Sequence, residues 1–196
     1  MDTRDRILDA AACVMKTRGF ARSTTKEIAK EAGYSEPMLY KHFASKSALF
    51  LAVLHERMPS FAPLVRELTE APGDRPVRER LAAIARASVA MYLESFPMSA
   101  SMFAEPGLLA AHRDEMARLN AGPHRPVTAV TEYLRAEQRR GRITAGADCA
   151  GAAALLAGAC FQYAFLCCFE QRQPDAAEMG AYAASITDTL LAGLTA

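Results

Sequence analysis

The sequence predicts an all-α fold in two parts, a small N-terminal unit of three short helices and a larger helical domain behind it. Three observations lead there. Apolar residues recur at three- and four-residue intervals through most of the 196 residues, with scarcely any of the strict alternation that a half-buried strand requires. Between Thr24 and Phe43, capping residues, a glycine and a proline follow one another so closely that each helix is held to about two turns. Hydrophobic residues make up 51% of the chain, and its 23 basic residues nearly balance its 22 acidic ones, which suits one small module and one domain with an ordinary core.

The first helix is expected from Thr3 to Arg18, with Ile7, Ala10, Ala11, Val14 and Met15 on one stripe and Gly19 as its stop. Phe20 is expected to plug the core between this helix and the next two. Thr24 and Glu27 form a capping box: the hydroxyl accepts the amide of the third helical residue while the carboxylate reaches back. A helix therefore starts at Thr25, buries Ile28, Ala29 and Ala32, and ends at Gly33, where a residue without a Cβ takes a left-handed turn at little cost. Ser35 can cap the next helix, Pro37 sits in its first turn, and Leu39 and Phe43 give it one buried stripe. The opposite face carries Glu36, Met38, Tyr40, Lys41 and His42. Ser45 caps a fourth helix from Lys46 to near Met58, and Pro59 and Pro63 then break it.

A small Ala29, a turn at Gly33 and an apolar Leu39 let two helices cross closely and steeply, the arrangement of a helix-turn-helix, whose second helix is free to enter a major groove. Thr25, Ile28, Ala29, Ala32, Gly33 and Ser35, followed by Leu39, Tyr40, His42, Phe43, Ser45 and Lys46, stand in the order and spacing of a known family. This stretch resembles the DNA-binding domain of the tetracycline-repressor (TetR) family of transcriptional regulators, with Tyr34 where a branched aliphatic residue is more usual. The resemblance covers about the first quarter of the chain. It implies a DNA-binding domain at 1–46 and an effector-binding and dimerisation domain at 47–196. It also implies that Thr25, Tyr40, His42 and Lys46 hold phosphates. Lys26, Glu36, Pro37, Met38 and Lys41, with Ser35 at the start of the recognition helix, would then face base edges of double-stranded DNA, where Glu36 either accepts from cytosine N4 or, in the first helical turn, simply favours the helix dipole. One short helix reads few bases, so a homodimer on a palindromic operator is expected. Residues 1–46 hold nine Lys or Arg against six Asp or Glu, while the remainder holds 14 against 16, so the basic surplus lies with the reader.

Further helices are expected from Pro76 to Phe96, with Val77, Leu81, Ile84, Ser88 and Met91 on one face, from Leu108 to Asn120, and from Pro123 to Gly141. Arg139, Arg140 and Arg142 read as a solvated helix end. Ala150–Phe169 has the length of a membrane span, but much of it is Ala and Gly and it lacks flanking basic residues. It reads instead as a helix buried all round, with no membrane partner. Gly151, Ala154 and Gly158 allow another helix to approach closely. Pro174 and Asp175 open the last helix and Glu178 helps to cap it, with Met179, Tyr182, Ile186, Leu190 and Leu194 on one stripe. The resemblance implies that these last two helices form the dimer interface.

The resemblance also implies a pocket for a small effector in the larger domain. Candidate lining residues are Met91, Tyr92, Phe96, Met102 and Phe103, from a Met-rich aromatic stretch that includes Met98, and the polar Ser88, Tyr133, Gln162 and Tyr163. No charge stands on an apolar face, which favours a neutral, apolar or aromatic effector. His42, His55, His112 and His124 are scattered, and no catalytic motif or phosphate-cradling loop is present, so no enzyme activity, cofactor or metal is expected. Cys13, Cys149, Cys160, Cys167 and Cys168 lie in apolar company as buried thiols, with a thiol sensor as the alternative. A protein on this scaffold that binds small molecules or catalyses a reaction without regulating genes is the other alternative. Asp2 and Asp5 sit where a signal peptide would be basic, so a cytoplasmic location is expected.

Overall fold

The computed structural model describes residues 2–70 and 75–194, and among these the chain forms ten helices and no strand. They are α1 (Thr3–Arg22), α2 (Thr25–Ala32), α3 (Glu36–His42), α4 (Lys46–Glu56), α5 (Ala62–Glu70), α6 (Val77–Phe103), α7 (Pro106–Arg118), α8 (His124–Arg139), α9 (Cys149–Phe169) and α10 (Ala176–Ala192). The chain divides into two compact units, residues 1–59 with 95–120, and residues 60–94 with 121–196. Helix α6 therefore begins in the second unit and ends in the first.

In the first unit, the Asp2 carboxylate accepts the Asp5 amide and starts α1. Gly19, at φ 74°, interrupts that helix where the sequence predicts, but one more turn follows, held by the Ser23 hydroxyl donating to the Gly19 carbonyl at 2.6 Å. Both halves of the Thr24–Glu27 capping box form, and Gly33 adopts the left-handed conformation at φ 78°. Ser35 stands at the start of α3 without a side-chain capping bond. The core joins Ile7, Leu8 and Met15 of α1 to Ile28 of α2, Leu39 of α3, and Leu49, Phe50 and Val53 of α4. Arg4 pairs with Glu56, and Arg57 with both Asp5 and Asp9, fastening α1 to α4. Phe20, half-buried, packs against this core as expected and also meets Phe50 of α4 edge to face with centroids 5.1 Å apart.

The helix expected to end at Phe96 runs through Pro97 to Phe103. An interior proline costs about 3 kcal/mol. Beyond it, however, Met98 and Met102 are buried in the first unit's core, and each such side chain returns roughly 1.5–3 kcal/mol. Packing thus offsets the local penalty.

The second unit is built from α5, the first part of α6, α8, α9 and α10. Leu81, Ile84, Ala85 and Val89 of α6 share a core with Val130, Tyr133 and Leu134 of α8, and with Ala152, Ala153, Leu156 and Cys160 of α9. Asp148 caps α9 by accepting two amides, and Asp175 caps α10 by accepting that of Glu178. Helix α9 is apolar all round, yet only one face is covered: Leu155, Phe161, Phe165, Leu166 and Phe169 are exposed, as are Ala154 and Gly158. The sequence reading expects a helix buried all round with small residues at a subunit interface, and within one chain a single face is covered.

Two charges in this unit also depart from expectation. Glu137 of α8 is wholly buried, with Arg140 and Arg142 ion-paired to it, so the basic cluster after α8 is no simple solvated end. Arg80 is buried too, its guanidinium over the Tyr133 ring and donating to the Glu67 carbonyl. A buried carboxylate persists only when paired in this way.

Candidate nucleic-acid interface and apolar cavity

The short α2 and α3 place most of the sequence-predicted contact residues on accessible surface. Lys26, Ser35, Pro37, Tyr40, Lys41 and His42 are exposed, and Glu36 and Met38 are half-exposed. Leu39 and Phe43 anchor the inner face of α3. Thr25 is placed differently, for only 8% of it is exposed. Its hydroxyl oxygen lies 2.5 Å from Glu36 Oε1 and 3.3 Å from the Tyr40 phenol oxygen, joining α2 to α3. Lys46, in the first turn of α4, is half-buried, with its ammonium 4.2 Å from the centre of the Phe20 ring. Burial lowers its pKa from the ordinary lysine value, and the Glu105 carboxylate opposes that shift. Arg18 pairs with Glu27 and steadies the capping box.

Of the nine candidate lining residues, Ser88 and Tyr92 meet at a small cavity inside the second unit. Phe61, Leu64, Ile84, Val130, Leu156 and Cys160 complete most of its wall, with no charged residue among the lining groups. Its volume, about 20 Å³, holds a water and little more. Phe61, Tyr92 and Phe161 form an edge-to-face series, with both spacings 5.4 Å. The Cys160 thiol donates to the Ala85 carbonyl at 3.6 Å, and burial pushes its pKa up to about 12.

The other candidates lie elsewhere. Met102 belongs to the first unit's core and Phe103 is 68% exposed. Phe96 is half-buried in that same unit. Met91 is half-buried on α6 outside the cavity wall, and Gln162 is exposed. The Tyr163 phenol donates to Glu178 at 2.9 Å, and its ring stacks on Tyr182. Tyr133 is buried away from the cavity wall; its hydroxyl has no hydrogen-bond partner among the described residues, and burial followed by the nearby Glu137 charge pushes its pKa up to about 12. The sequence reading places Ile84 and Ser88 on one face of α6 but does not count Ile84 as lining, although Ile84, Ser88 and Tyr92 recur every four residues along that helix.

Four cysteines are buried or half-buried as expected, but Cys13 is exposed. Burial raises the Cys160 and Cys168 pKa values and favours thiol over thiolate, while Cys167 Sγ accepts from Arg172 at 3.1 Å.

A second, open groove of about 550 Å³ runs between α9 and α10 on the second unit, floored by Leu155, Ala159, Ile186 and Leu190.

Comparison with known proteins bears on both sites. Residues 7–53 match the family model for bacterial regulatory proteins of the tetR family. Residues 79–193, more than half of the chain, match that for the C-terminal domain of AefR-like transcriptional repressors. The chain is 38% identical over 86 residues to the transcriptional activator FasR of Mycolicibacterium smegmatis, a match covering 44% of this chain and 38% of that protein. Matches to curated relatives thus span well under two thirds of their lengths. Among solved structures, a TetR-family regulator from Mesorhizobium loti superposes with a TM-score of 0.77 at 21% identity, covering 99% of this chain and 97% of the other. The regulator FadR of Bacillus subtilis, solved in complex with stearoyl-CoA, superposes with a TM-score of 0.68 at 17% identity, covering 96% and 98%. At these identities the superpositions speak for the fold, and the two family models decide membership: the chain belongs to the TetR family of bacterial regulatory proteins.

Proposed function

We propose that the protein is a cytoplasmic transcriptional repressor that binds a palindromic operator as a homodimer and releases it when a small, uncharged, apolar or aromatic molecule occupies the cavity beside α6. The observation that carries this reading is the course of α6. Its Ile84, Ser88 and Tyr92 line the cavity, and its Met98 and Met102 belong to the core of the unit that presents α3. A ligand that favours one position of α6 over another thereby acts on the reader. It shifts the population of DNA-competent molecules only by its differential affinity for the two states. Effector sites usually enclose about 300 Å³ or more, so binding requires the cavity to open. The Phe61–Tyr92–Phe161 series leads from the cavity to the surface, since Phe161 is 47% exposed.

An apolar effector agrees with the uncharged wall and with the long apolar chain of the stearoyl-CoA held by FadR. Repression follows the AefR-like C-terminal family, although FasR is an activator. The exposed apolar face of α9 and the groove beside α10 support dimerisation through those helices. In this reading the division of roles remains 1–46 for DNA and 47–196 for effector and dimer. It is a regulator's division of labour rather than an enzyme's.

The test is selection of bound duplexes from a random pool at stated salt, with the Tyr40→Ala, Lys41→Ala double variant as control. A palindromic site enriched by the wild type alone supports the reading. Equal recovery by both proteins would remove α3 as the reader.

A further inference from the structure

The contact between Thr25, Glu36 and Tyr40 determines more than the packing of α2 on α3. A threonine hydroxyl has one hydrogen, and a carboxylate can only accept. The Thr25 hydrogen therefore goes to Glu36 Oε1, 2.5 Å away, and the Tyr40 phenol donates to the Thr25 oxygen at 3.3 Å. Thr25, 8% exposed, has no hydrogen left for a phosphate. Glu36 is fixed at one oxygen and accepts no hydrogen bond at the other among the described residues. It stands half-exposed in the first turn of α3, between exposed Ser35 and Pro37, on the part of a recognition helix that meets base edges.

A carboxylate on that surface cannot serve as a phosphate ligand, because both are anions. In the major groove, guanine presents N7 and O6 and thymine presents O4, all acceptors that would repel it. Adenine offers its N6 amino group, but with the N7 acceptor beside it. Cytosine offers the N4 amino group with no acceptor next to it on its own edge. A carboxylate held at one oxygen and open at the other therefore matches cytosine. We infer that Glu36 reads the N4 amino group of one cytosine in each half-site, and that Thr25 is a positioning residue that fixes the carboxylate rather than a phosphate ligand. This rests on the reading of the protein as a DNA-binding regulator.

The test uses the full-length protein in the duplex selection described above, followed by affinity measurements on the recovered site with each base substituted in turn. The expected result is one cytosine per half-site whose replacement weakens binding about tenfold. Glu36→Gln should move the preference at that position toward adenine, because an amide both donates to N7 and accepts from N6, and leave other positions unchanged. Thr25→Val should flatten discrimination at that position alone, and Thr25→Ser, which keeps the hydroxyl, should restore it. A recovered site without such a cytosine, an unchanged preference in Glu36→Gln, or a uniform loss across all sequences in Thr25→Val with recovery in Thr25→Ser would overturn the inference. That last pattern is what a phosphate ligand would give. If the wild type enriches nothing over the Tyr40→Ala, Lys41→Ala control, DNA reading itself fails and this assignment falls with it. Those outcomes separate the two claims.

Discussion

Lys41 and Lys46 bring the same charge to different surroundings. Lys41 is exposed on α3, whereas Lys46 is half-buried beneath its own helix start with Phe20 under its ammonium. Lys41→Ala is expected to change which sequences are preferred. Lys46→Ala should weaken all sequences alike and reduce the slope of log affinity against log salt by about one, as loss of one phosphate contact requires. Affinities of both variants for several duplexes across a salt series check this. At this scale the sequence was informative for exposed residues, whose chemistry their neighbours do not alter. It was less so for Thr25, since nothing in its local spacing reveals that Glu36, eleven positions on, takes its hydrogen. Cys13 was misplaced for a related reason, because a cysteine among alanines carries no mark of which face it occupies.

Among the elements, α8 and α4 give the sharpest tests. Glu137 is fully buried, Arg142 reaches it from beyond Gly141, and Arg140 is the more exposed partner. Removing one partner of a buried pair leaves an uncompensated charge and costs about 3 kcal/mol or more, whereas exposed partners contribute roughly 1 kcal/mol or less. Arg142→Ala leaves Arg140 to pair with Glu137 and should lower stability by about 1–3 kcal/mol, and Arg140→Ala by about 1 kcal/mol or less. The double variant, which removes both partners, should lower it by about 3 kcal/mol or more, as read by urea unfolding.

In the first unit, His55 of α4 and His112 of α7 share a hydrogen bond of 3.1 Å between ring nitrogens. Burial lowers both pKa values below the ordinary 6.5. The His55 charge lowers that of His112 further, while Glu56, paired with Arg4, pulls that of His55 back up. An imidazole whose folded pKa is depressed contributes stability that is present above 6.5 and lost as pH falls through the folded value. The melting temperature should accordingly drop below pH 6.5, and His112→Gln, which can still hydrogen-bond but does not titrate, should shrink that drop. A His112→Gln profile that fell as steeply would assign the acid sensitivity to other groups. Helix caps were legible in the sequence because their chemistry is local, as Thr24, Glu27 and Gly33 show. The passage of α6 through Pro97 was not, because it depends on the burial of Met98 and Met102 against distant helices. The His55–His112 bond, 57 positions apart, was hidden for the same reason.

For the whole molecule, the uncovered side of α9 is the feature that most needs a partner. Leu155 is 69% exposed beside the groove with α10. Leu155→Glu should convert a dimer to a monomer in sedimentation and weaken operator binding, since two linked readers gain affinity that one lacks. An unchanged dimer would place the interface elsewhere. The two-part all-α plan was readable from periodicity and punctuation. The cavity was readable only in part, because its wall combines α5, α6, α8 and α9 from distant stretches of sequence.

The claim that cavity occupancy controls DNA affinity is tested most directly by measuring operator affinity with saturating amounts of uncharged apolar compounds that raise the melting temperature of the wild type but not of Ala157→Leu, a substitution that fills the cavity wall. Such compounds should weaken operator binding, and the operator should weaken theirs by the same factor. Compounds that stabilise the wild type through the cavity and leave operator affinity unchanged would contradict it.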